Sequence, residues 1–462
     1  MKQSKTQGNL SIGQDKDSGN IWKTKAVCRG EENCALRKRI KELISSRDSW
    51  KSKYQELQKE EDKTAILGSE KAAGHQYSLV QISFLLALQN YGLMSLRSCR
   101  HCIGCLAVSL GLSIRIPSHS SIRNWLIKSG YHRIKEGEKK GGDYIVYVDE
   151  SIVFGSEKML LILGVSSANF GTDRALIHSD MEVLYAGASK EWKGEDIAVE
   201  LAKIAAVKTI KYVVSDEGTN LRKVYTSLNY THIEDCTHIL ANYLKRIYKD
   251  DAVFEEFRKL IGKLRKNWNL SKEKSQYMPP TMRGKMRFAN IFPCVQWAKK
   301  CLDNWVNLKE DVQNSLVFLK ENTAFIDTLL LLETAFKSTC ATLKNEGFGS
   351  RQKADIVAKL TTLSGSENVA IFTKNCLQYL ENLTQKREAL GLQNICCSSD
   401  IIESFFGKFK TKINPNNRTG LTEFIFTIAN FAQPFSIKEI KNALENIKLK
   451  DIILDKKQAK TG

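Results

Sequence analysis

The chain has 462 residues, of which 42% are hydrophobic and 26% are charged. These proportions are ordinary for a globular protein, and the length suffices for several domains with a sizeable buried core. The charge is unusual, because 70 Lys and Arg residues face 51 Asp and Glu residues, a formal net charge of +19. This excess favours a polyanionic partner such as nucleic acid, and the alternative is a basic protein without one.

The sequence pattern argues against a membrane or secreted protein. No run reaches the ~18–20 apolar residues of a membrane helix, and the nearest, residues 79–88, contains Gln81 and Ser83. The polar first 19 residues do not have the pattern of a signal peptide. The twelve cysteines are scattered through the chain, which is typical of reduced thiols. We therefore expect a cytoplasmic protein with no membrane partner.

The N-terminal part changes character near residue 33. Residues 1–30 are polar, which predicts a disordered tail. In residues 33–63 apolar side chains recur at spacings of four and three, which predicts a coiled-coil-like helix of about three heptads. The stripe, interrupted by Arg47, comprises Leu36, Ile40, Leu43, Trp50, Tyr54 and Leu57. The pattern fits pairing with a second copy about as well as packing on the chain itself.

Residues 76–134 predict three helices arranged as a helix-turn-helix-like DNA-binding domain. The expected bounds are 78–89, 95–110 and 120–129, the last helix ending at Gly130. A break at Pro117 precedes serines that can cap the third helix. We expect this helix to present Arg123, Asn124 and Lys128 to DNA. A purely structural three-helix domain is the alternative.

A basic linker, residues 135–142, leads to a segment with strand signals. The expected strands are 144–149, 159–166, 174–178, 209–215 and 232–235, with helices between the later ones. Hairpins followed by alternation are the order of an RNase H-like mixed sheet. We therefore predict an α/β core that begins in residues 143–248, a large all-α insertion in 249–395, a core helix in 396–420 and C-terminal helices in 421–462, all preceded by an all-α N-terminal region.

Three acids stand where this core would bring them together. Asp149 and Asp216 each end an apolar strand, and Glu403 lies in a late helical stretch. Two-metal phosphoryl transfer needs carboxylates that clamp two cations about 3.5–4 Å apart, and Mg²⁺ needs one or two carboxylates per ion. A single acid at a strand end is more often structural, so the prediction depends on all three together. The neighbouring acids that compete for these roles are Glu150, Glu217 and Asp400.

These segments resemble the Asp-Asp-Glu (DDE) transposases of bacterial insertion sequences. The resemblance is carried by Asp149-Glu150-Ser151, by Ser215-Asp216-Glu217-Gly218 with Leu221, and by Glu403 with Phe406-Gly407-Lys408. Residues 215–243 are most similar to the Mutator-type branch, in which a Cys-x-x-His pair and an Asn follow the second aspartate. His238 and Asn242 match that pattern, and Asp235 replaces the cysteine. A large helical insertion before the glutamate is also similar to this branch.

The resemblance implies cleavage at transposon ends and strand transfer into target DNA. Asp149, Asp216 and Glu403 would bind two Mg²⁺ ions, for which Mn²⁺ substitutes, and Asp235 and His238 become candidate accessory residues. The implied partner is double-stranded DNA, as terminal inverted repeats and as target, bound by a homodimer at the nucleoid. The alternatives are another RNase H-like nuclease and a domesticated DNA-binding regulator without catalytic activity.

Two basic runs are candidate DNA surfaces. Residues 258–287 hold ten Lys and Arg and the single acid Glu273, with aromatic residues interleaved. Arg265 and Lys266 lie in this run. The second run, which follows Glu403, contains Lys408, Lys410 and Lys412. The alternative for the first run is a solvated helix face backed by core aromatic residues.

Overall fold

The computed structural model describes residues 17–64, 70–150, 157–167, 174–216, 218–269, 271, 273–281, 288–413 and 422–453. These residues divide into two compact units. The first unit comprises the N-terminal residues up to 69 with 102–116, and the second comprises 70–101 with 117–462. None of the helices in the described ranges combines the length and apolar character that a membrane-spanning segment needs.

A single long helix dominates the first unit. Helix α1 (Asp17–Thr64) has 48 residues, and at 1.5 Å per residue it is about 72 Å long. It contains the predicted coiled-coil-like stretch, and it also includes residues 17–30, which the sequence assigned to a disordered tail. Every described side chain from Lys23 to Gln55 is exposed.

Three further helices precede the sheet: α2 (Leu79–Asn90), α3 (Leu96–Ser109) and α4 (His119–Lys139). Ser118, one of the serines predicted to cap the third helix, does so, because its Oγ accepts a hydrogen bond from Ser121 N. Ser78 Oγ likewise caps α2 by accepting a hydrogen bond from Gln81 N. The predicted end of the third helix at Gly130 is wrong, as is the linker over 135–139, since α4 continues to Lys139. Gly130 is needed there for close packing, because a Cβ would lie 2.1 Å from Phe426 O.

The sheet has five strands: β1 (Gly142–Glu150), β2 (Lys158–Ser166), β3 (Glu182–Ser189), β4 (Lys208–Ser215) and β5 (His232–Glu234). Their spatial order is β3-β2-β1-β4-β5. The first three strands pair antiparallel, and β4 and β5 are parallel to β1 and to each other. Helices α5 (Gly194–Ala205) and α6 (Thr219–Ser227) connect β3 to β4 and β4 to β5.

The third strand does not lie where the sequence predicted it. Residues 174–178 form no strand, and β3 runs from Glu182 to Ser189 instead. Its second half consists of Ala186, Gly187 and Ala188, which have a weak intrinsic strand preference. Regular pairing with β2 holds this segment in the sheet, and such non-local pairing leaves no local sequence signal.

Alternate residues of the central strands contact two separate cores. Tyr147 and Val214 belong to a large core that also contains residues of α4 and of most of the helices that follow the sheet. Val146 and Val213 belong to a smaller core formed with α5 and α6. The sheet is therefore buried on both faces, as expected for strands that read as continuous apolar runs.

Helices follow the sheet through most of the remaining chain. They are α7 (Cys236–Ile247), α8 (Ala252–Trp268), α9 (Phe292–Asp303), α10 (Glu310–Glu321), α11 (Thr323–Glu346), α12 (Ser350–Thr361), α13 (Glu367–Ala389), α14 (Asp400–Lys412) and α15 (Ile437–Asn446). A 3-10 helix, Glu423–Phe431, lies between α14 and α15. The predicted mixed α/β sheet with large helical regions is confirmed at this level.

Candidate active site

Asp149 and Asp216 lie at the ends of two neighbouring strands. Strands β1 and β4 are parallel, with Tyr147 paired with Val214, and the same register places Asp149 beside Asp216. Each acid stands two residues beyond a residue that contacts the large core. Because side chains alternate along a strand, the Asp149 carboxylate points toward that side of the sheet. Asp216, the residue after β4, lies close enough to raise the pKa of Asp149.

The neighbouring acids occupy different surroundings. Glu150 follows Asp149 directly and therefore points to the opposite face, where Lys158 Nζ lies 3.8 Å from its Oε2. Asp400 begins α14 and forms an ion pair with Lys344 at 2.5 Å. Glu217 lies outside the described residues. Of the competing acids that are described, each thus has a cationic partner of its own.

Helix α14 brings Glu403 to the same region. Ile402, Phe405 and Phe409 are buried in the large core, so the helix is fixed with Glu403 at its margin, where the side chain is 39% exposed. Its Oε1 lies 3.5 Å from His238 Nε2. Residues from α7 and α14, far apart in sequence, therefore meet beside the strand ends.

The electrostatic environment of Asp149 joins these groups. Its pKa is raised to about 7, mainly by burial and then by the negative charges of Asp216 and Glu403. A backbone hydrogen bond and the His238 ring act in the opposite direction. Asp149 keeps part of its surface accessible, yet it interacts with both other carboxylates. The three predicted acids are thus electrostatically coupled at one edge of the sheet.

The donor chemistry of this group fits a hard divalent cation. Three carboxylates supply only oxygen ligands, which Mg²⁺ and Mn²⁺ prefer. A cation among them would offset the mutual repulsion that raises the pKa of Asp149. Within the described ranges, no three His, Cys, Asp or Glu side chains are placed so that they could hold a metal ion as they stand. Binding of an ion there would require the carboxylates to approach one another further.

Asp235 joins the starts of the two helices that carry His238 and Glu403. It is 1% exposed, and its Oδ1 accepts a hydrogen bond from His238 N at 2.9 Å. Its Oδ2 accepts from Ser399 N at 2.7 Å and from Ser399 Oγ at 3.0 Å. We call this group of Asp235, His238 and Ser399 the helix-start clamp. Asp235, predicted as an accessory acid, has both of its oxygens in the clamp.

Sequence reasoning missed Ser399 as a partner of Asp235. The local signal for the cap was present, because an Asp immediately before a helix commonly accepts a hydrogen bond from the residue three positions later. The second half of the clamp spans 164 residues. No local pattern indicates such a contact.

The candidate DNA contacts of α4 face this chain itself. Arg123 contacts Glu423 at 3.3 Å, and Lys128 Nζ donates to Leu444 O at 3.0 Å. Burial lowers the pKa of Lys128. Asn124 is half-buried on the same helix. These side chains hold α4 against the C-terminal segment, and their contact with DNA stays a prediction.

The cations of α8 and α14 differ in exposure. On α8, Arg265 donates to Pro279 O, whereas Lys266 is exposed. On α14, Lys410 is exposed and Lys408 is half-buried, with its Nζ 3.5 Å from His178 Nδ1. Two of the predicted contacts on these helices, Lys266 and Lys410, are thus exposed.

Lys412 is directed inward. Its Nζ donates to Gln89 Oε1 at 2.9 Å and to Asn90 Oδ1 at 3.0 Å, and it lies 4.2 Å from the centre of the Phe431 ring. Burial lowers its pKa to about 7. The predicted DNA contact thus occupies a site where it links α14 to α2.

Comparison with known proteins adds no relationship. No family model matches the chain, and no curated protein matches it. The case for a function therefore depends on the arrangement of residues around Asp149.

Proposed function

We propose that this chain is a DDE transposase that cleaves DNA at transposon ends and transfers the freed 3′-OH into target DNA. The observation that carries the proposal is the coupling of Asp149 to Asp216 and Glu403, which raises the pKa of the Asp149 carboxyl group to about 7. Groups with strongly shifted pKa values and specific charged partners are frequent at functional sites. Here the partners are the acids that the sequence singled out.

The sheet supports the same proposal. Three strands joined by antiparallel pairing precede two parallel strands joined through helices. This is the order expected for an RNase H-like core, in which the two aspartates end adjacent central strands. The long helical segment between β5 and α14 also agrees with the insertion expected before the glutamate.

The residues of this chain have distinct roles in the proposed site. Asp149, Asp216 and Glu403 would hold divalent cations, which supply activation of the attacking oxygen and stabilisation of the leaving oxygen. The helix-start clamp keeps α7 and α14 in a fixed relation, so that Glu403 stays near the strand ends. His238 lies against Glu403 and orients its carboxylate.

Exposed cations would contact the DNA backbone. Lys259, Lys263 and Lys266 are exposed at helical spacing along one side of α8. Lys410 is exposed on α14, two turns beyond Glu403. Together with the net charge of +19, these side chains favour a phosphate-binding surface.

The test uses the purified full chain and a plasmid that carries the DNA flanking its gene on both sides. We expect Mg²⁺- or Mn²⁺-dependent breaks at the element ends and joined products in target DNA. Asp149→Asn, Asp216→Asn and Glu403→Gln should reduce cleavage to the level of protein-free DNA while binding in a gel-shift assay is kept. Glu150→Gln and Asp400→Asn are matched controls, which should cleave normally because these acids have partners elsewhere.

Three outcomes would contradict the proposal. Cleavage that is indifferent to the element ends would indicate another nuclease of the same core type. End-specific binding by the wild-type chain without cleavage would indicate a DNA-binding regulator. Normal cleavage by one of the three site variants would remove that residue from the site.

A further inference from the structure

The heptad frame of the stripe on α1 can be extended toward its N-terminus. With Ile40 taken as heptad position a, the a and d positions across the described side chains form what we call the seam: Ala26, Arg29, Asn33, Leu36, Ile40, Leu43, Arg47, Trp50 and Tyr54. The seam extends over four heptads, and six of its nine residues are apolar, the exceptions being Arg29, Asn33 and Arg47. The side chain of Leu57, the next d position, lies outside the described residues.

The central seam residues are large, apolar and exposed. Leu36, Ile40 and Leu43 are 58%, 54% and 56% exposed, and Trp50 is 67% exposed. Leaving these side chains in water is unfavourable, at about 25 cal/mol per Å² of apolar surface. Large exposed apolar surfaces on a protein mark interaction sites. The stripe therefore requires a partner with a matching apolar stripe.

The residue types in the seam select a second copy of the same helix. A β-branched residue at a, here Ile40, with leucine at the flanking d positions, here Leu36 and Leu43, favours two parallel strands. Asn33 occupies an a position one heptad earlier. A single asparagine at a fixes register and dimeric state, since its amide is satisfied by the same residue of the partner helix.

Antiparallel pairing does not satisfy Asn33. When antiparallel helices pair around Leu36–Leu43, a residues oppose d residues, and Asn33 meets Leu43 or Trp50 of the second copy. Its amide would then face an apolar side chain and lose its hydrogen bonds, at a cost of about 1–3 kcal/mol. Parallel, in-register pairing instead places the two Asn33 amides together.

The flanking charges agree with the parallel arrangement. Position g of one helix meets position e five residues later in the other, so Glu32 meets Arg37 of the second copy. The following pairs, Arg39 with Ile44 and Ser46 with Lys51, contain no like charges. Arg47 at an a position opposes itself, which lowers stability, but its guanidinium already donates to Asp48 at 2.8 Å.

We propose that α1 pairs with α1 of a second copy in a parallel, in-register, two-stranded coiled coil centred on Leu36–Leu43. Asn33 sets the register, and Glu32 and Arg37 form ion pairs along both sides. The pairing does not depend on the chemistry proposed for the sheet edge, so it stands or falls separately from transposase activity.

The mass of the full chain in solution tests the pairing. By light scattering coupled to gel filtration at micromolar concentration, we expect twice the chain mass of 52.3 kDa. Leu43→Glu should reduce the mass to one chain, because it places two carboxylates in the seam. Ser45→Glu lies at the outward f position of the same heptad and should remain dimeric. A monomeric wild type, a larger oligomer or a dimeric Leu43→Glu variant would overturn the proposal.

Cross-linking tests orientation and register. The exposed cysteines Cys28, Cys34, Cys102 and Cys105 are first changed to serine. In this background Ala26→Cys, at an a position that leaves Asn33 in place, should form a covalent dimer with oxidised glutathione, since two thiols become one disulfide and the glutathione disulfide becomes two thiols. Lys38→Cys, at an outward f position, should stay uncrosslinked. A dimer in which Ala26→Cys fails to crosslink would overturn the parallel, in-register arrangement.

Discussion

Asp149 carries the clearest functional signature at the level of single residues. Its carboxyl group ends a central strand and interacts with two further carboxylates, which together with burial raise its pKa to about 7. In the unfolded chain the same group titrates near pH 4. Between these values the folded state holds a proton that the unfolded state has lost, so unfolding becomes easier as the pH rises.

Replacement of Asp149 should therefore stabilise the folded chain at neutral pH. In the presence of a chelator, we expect Asp149→Asn to raise the free energy of unfolding relative to wild type by about 1–3 kcal/mol at pH 8. The gain should be much smaller at pH 4, where the carboxyl group is protonated in the folded chain and about half protonated in the unfolded chain. Urea denaturation at several pH values measures the difference. A gain that is the same at pH 4 and pH 8 would contradict the assigned pKa.

Magnesium binding should offset the destabilising effect of the ionised Asp149 carboxylate, and this can be measured without an activity assay. A cation that binds the ionised carboxylates stabilises the folded state by mass action, so we expect Mg²⁺ to raise the melting temperature of wild type at pH 8. Asp149→Asn should lose most of that rise, and Glu150→Gln should keep it, because Glu150 points to the other face of the sheet. Equal responses of all three proteins would argue against cation binding at Asp149.

Asp235 has a positioning role that can be measured through stability. Its two oxygens accept three hydrogen bonds in a buried setting, so Asp235→Ala leaves three donors without that acceptor. We expect a loss of about 3 kcal/mol or more, against about 1 kcal/mol for Ser399→Ala, which removes one hydrogen bond. Ser398→Ala, which removes only a hydrogen bond to Asp400 N, is the control. Denaturant titration of the variants, including the Asp235→Ala/Ser399→Ala double variant, should show non-additive losses.

At the level of elements, α14 is attached at three places along its length. The helix-start clamp holds its N-terminus, Phe405 and Phe409 bury its middle in the large core, and Lys412 links its last turn to α2. This attachment fixes the position of Glu403 from both ends of the helix. The sequence shows the apolar face of α14 but neither of its polar attachments.

Lys412 makes the stability of this attachment depend on pH. Burial lowers its pKa from about 10.5 to about 7, so between these values the unfolded chain binds a proton that the folded chain has released. Stability contributed by this group therefore rises with pH over that window. From pH 7 to pH 9 we expect wild type to gain up to about 2.5 kcal/mol relative to Lys412→Met.

Comparison with the variant cancels the titration of other groups, including the buried cysteines. Lys410→Met, which changes an exposed lysine on the same helix, should show no such gain. Urea denaturation at pH 7, 8 and 9 measures all three proteins. A constant difference between wild type and Lys412→Met would show that Lys412 stays charged in the folded chain.

At the level of the whole molecule, the charge excess should appear as salt-dependent DNA binding. Each phosphate contact contributes about 0.9 to the slope of log affinity against log salt concentration. We expect Lys408→Ala with Lys410→Ala to weaken binding and to reduce the slope by about 1.8. Lys203→Ala is the matched control, since this exposed lysine lies on α5, which packs on the other face of the sheet. Fluorescence anisotropy at several salt concentrations measures the slope, and an unchanged slope would exclude these two contacts.

Sequence predictions were correct where a feature depends on neighbouring residues and wrong where it depends on contacts between distant segments. The serine cap at Ser118, and the apolar strands that end at Asp149 and Asp216, depend on neighbouring residues and were predicted correctly. The end of α4 was misplaced, because Gly130 is retained for packing against Phe426 rather than to stop the helix. Strand β3 was missed, because its stability comes from pairing with β2.

The lysines predicted to contact DNA show the same difference between local patterns and long-range contacts. Lys128 was predicted to face DNA from the third helix, and Lys412 belongs to a basic run, which ordinarily indicates a surface. Both lysines are instead directed at oxygen acceptors more than 300 residues distant in sequence. Lys410, in the same run as Lys412, is exposed, so composition alone could not distinguish the two.

The sequence by itself determined most of the local elements, which side of each is apolar, and which acids stand at strand ends. It also determined the seam of α1, since a heptad pattern is a property of one helix. Only the tertiary structure decided that Glu403 lies near Asp149, that Asp235 joins α7 to α14, and that Lys412 is directed inward. A periodic sequence pattern shows which face of a helix or strand is apolar, because it involves residues close together in the chain. Whether distant side chains meet depends on how the helices and strands pack against one another in the folded protein.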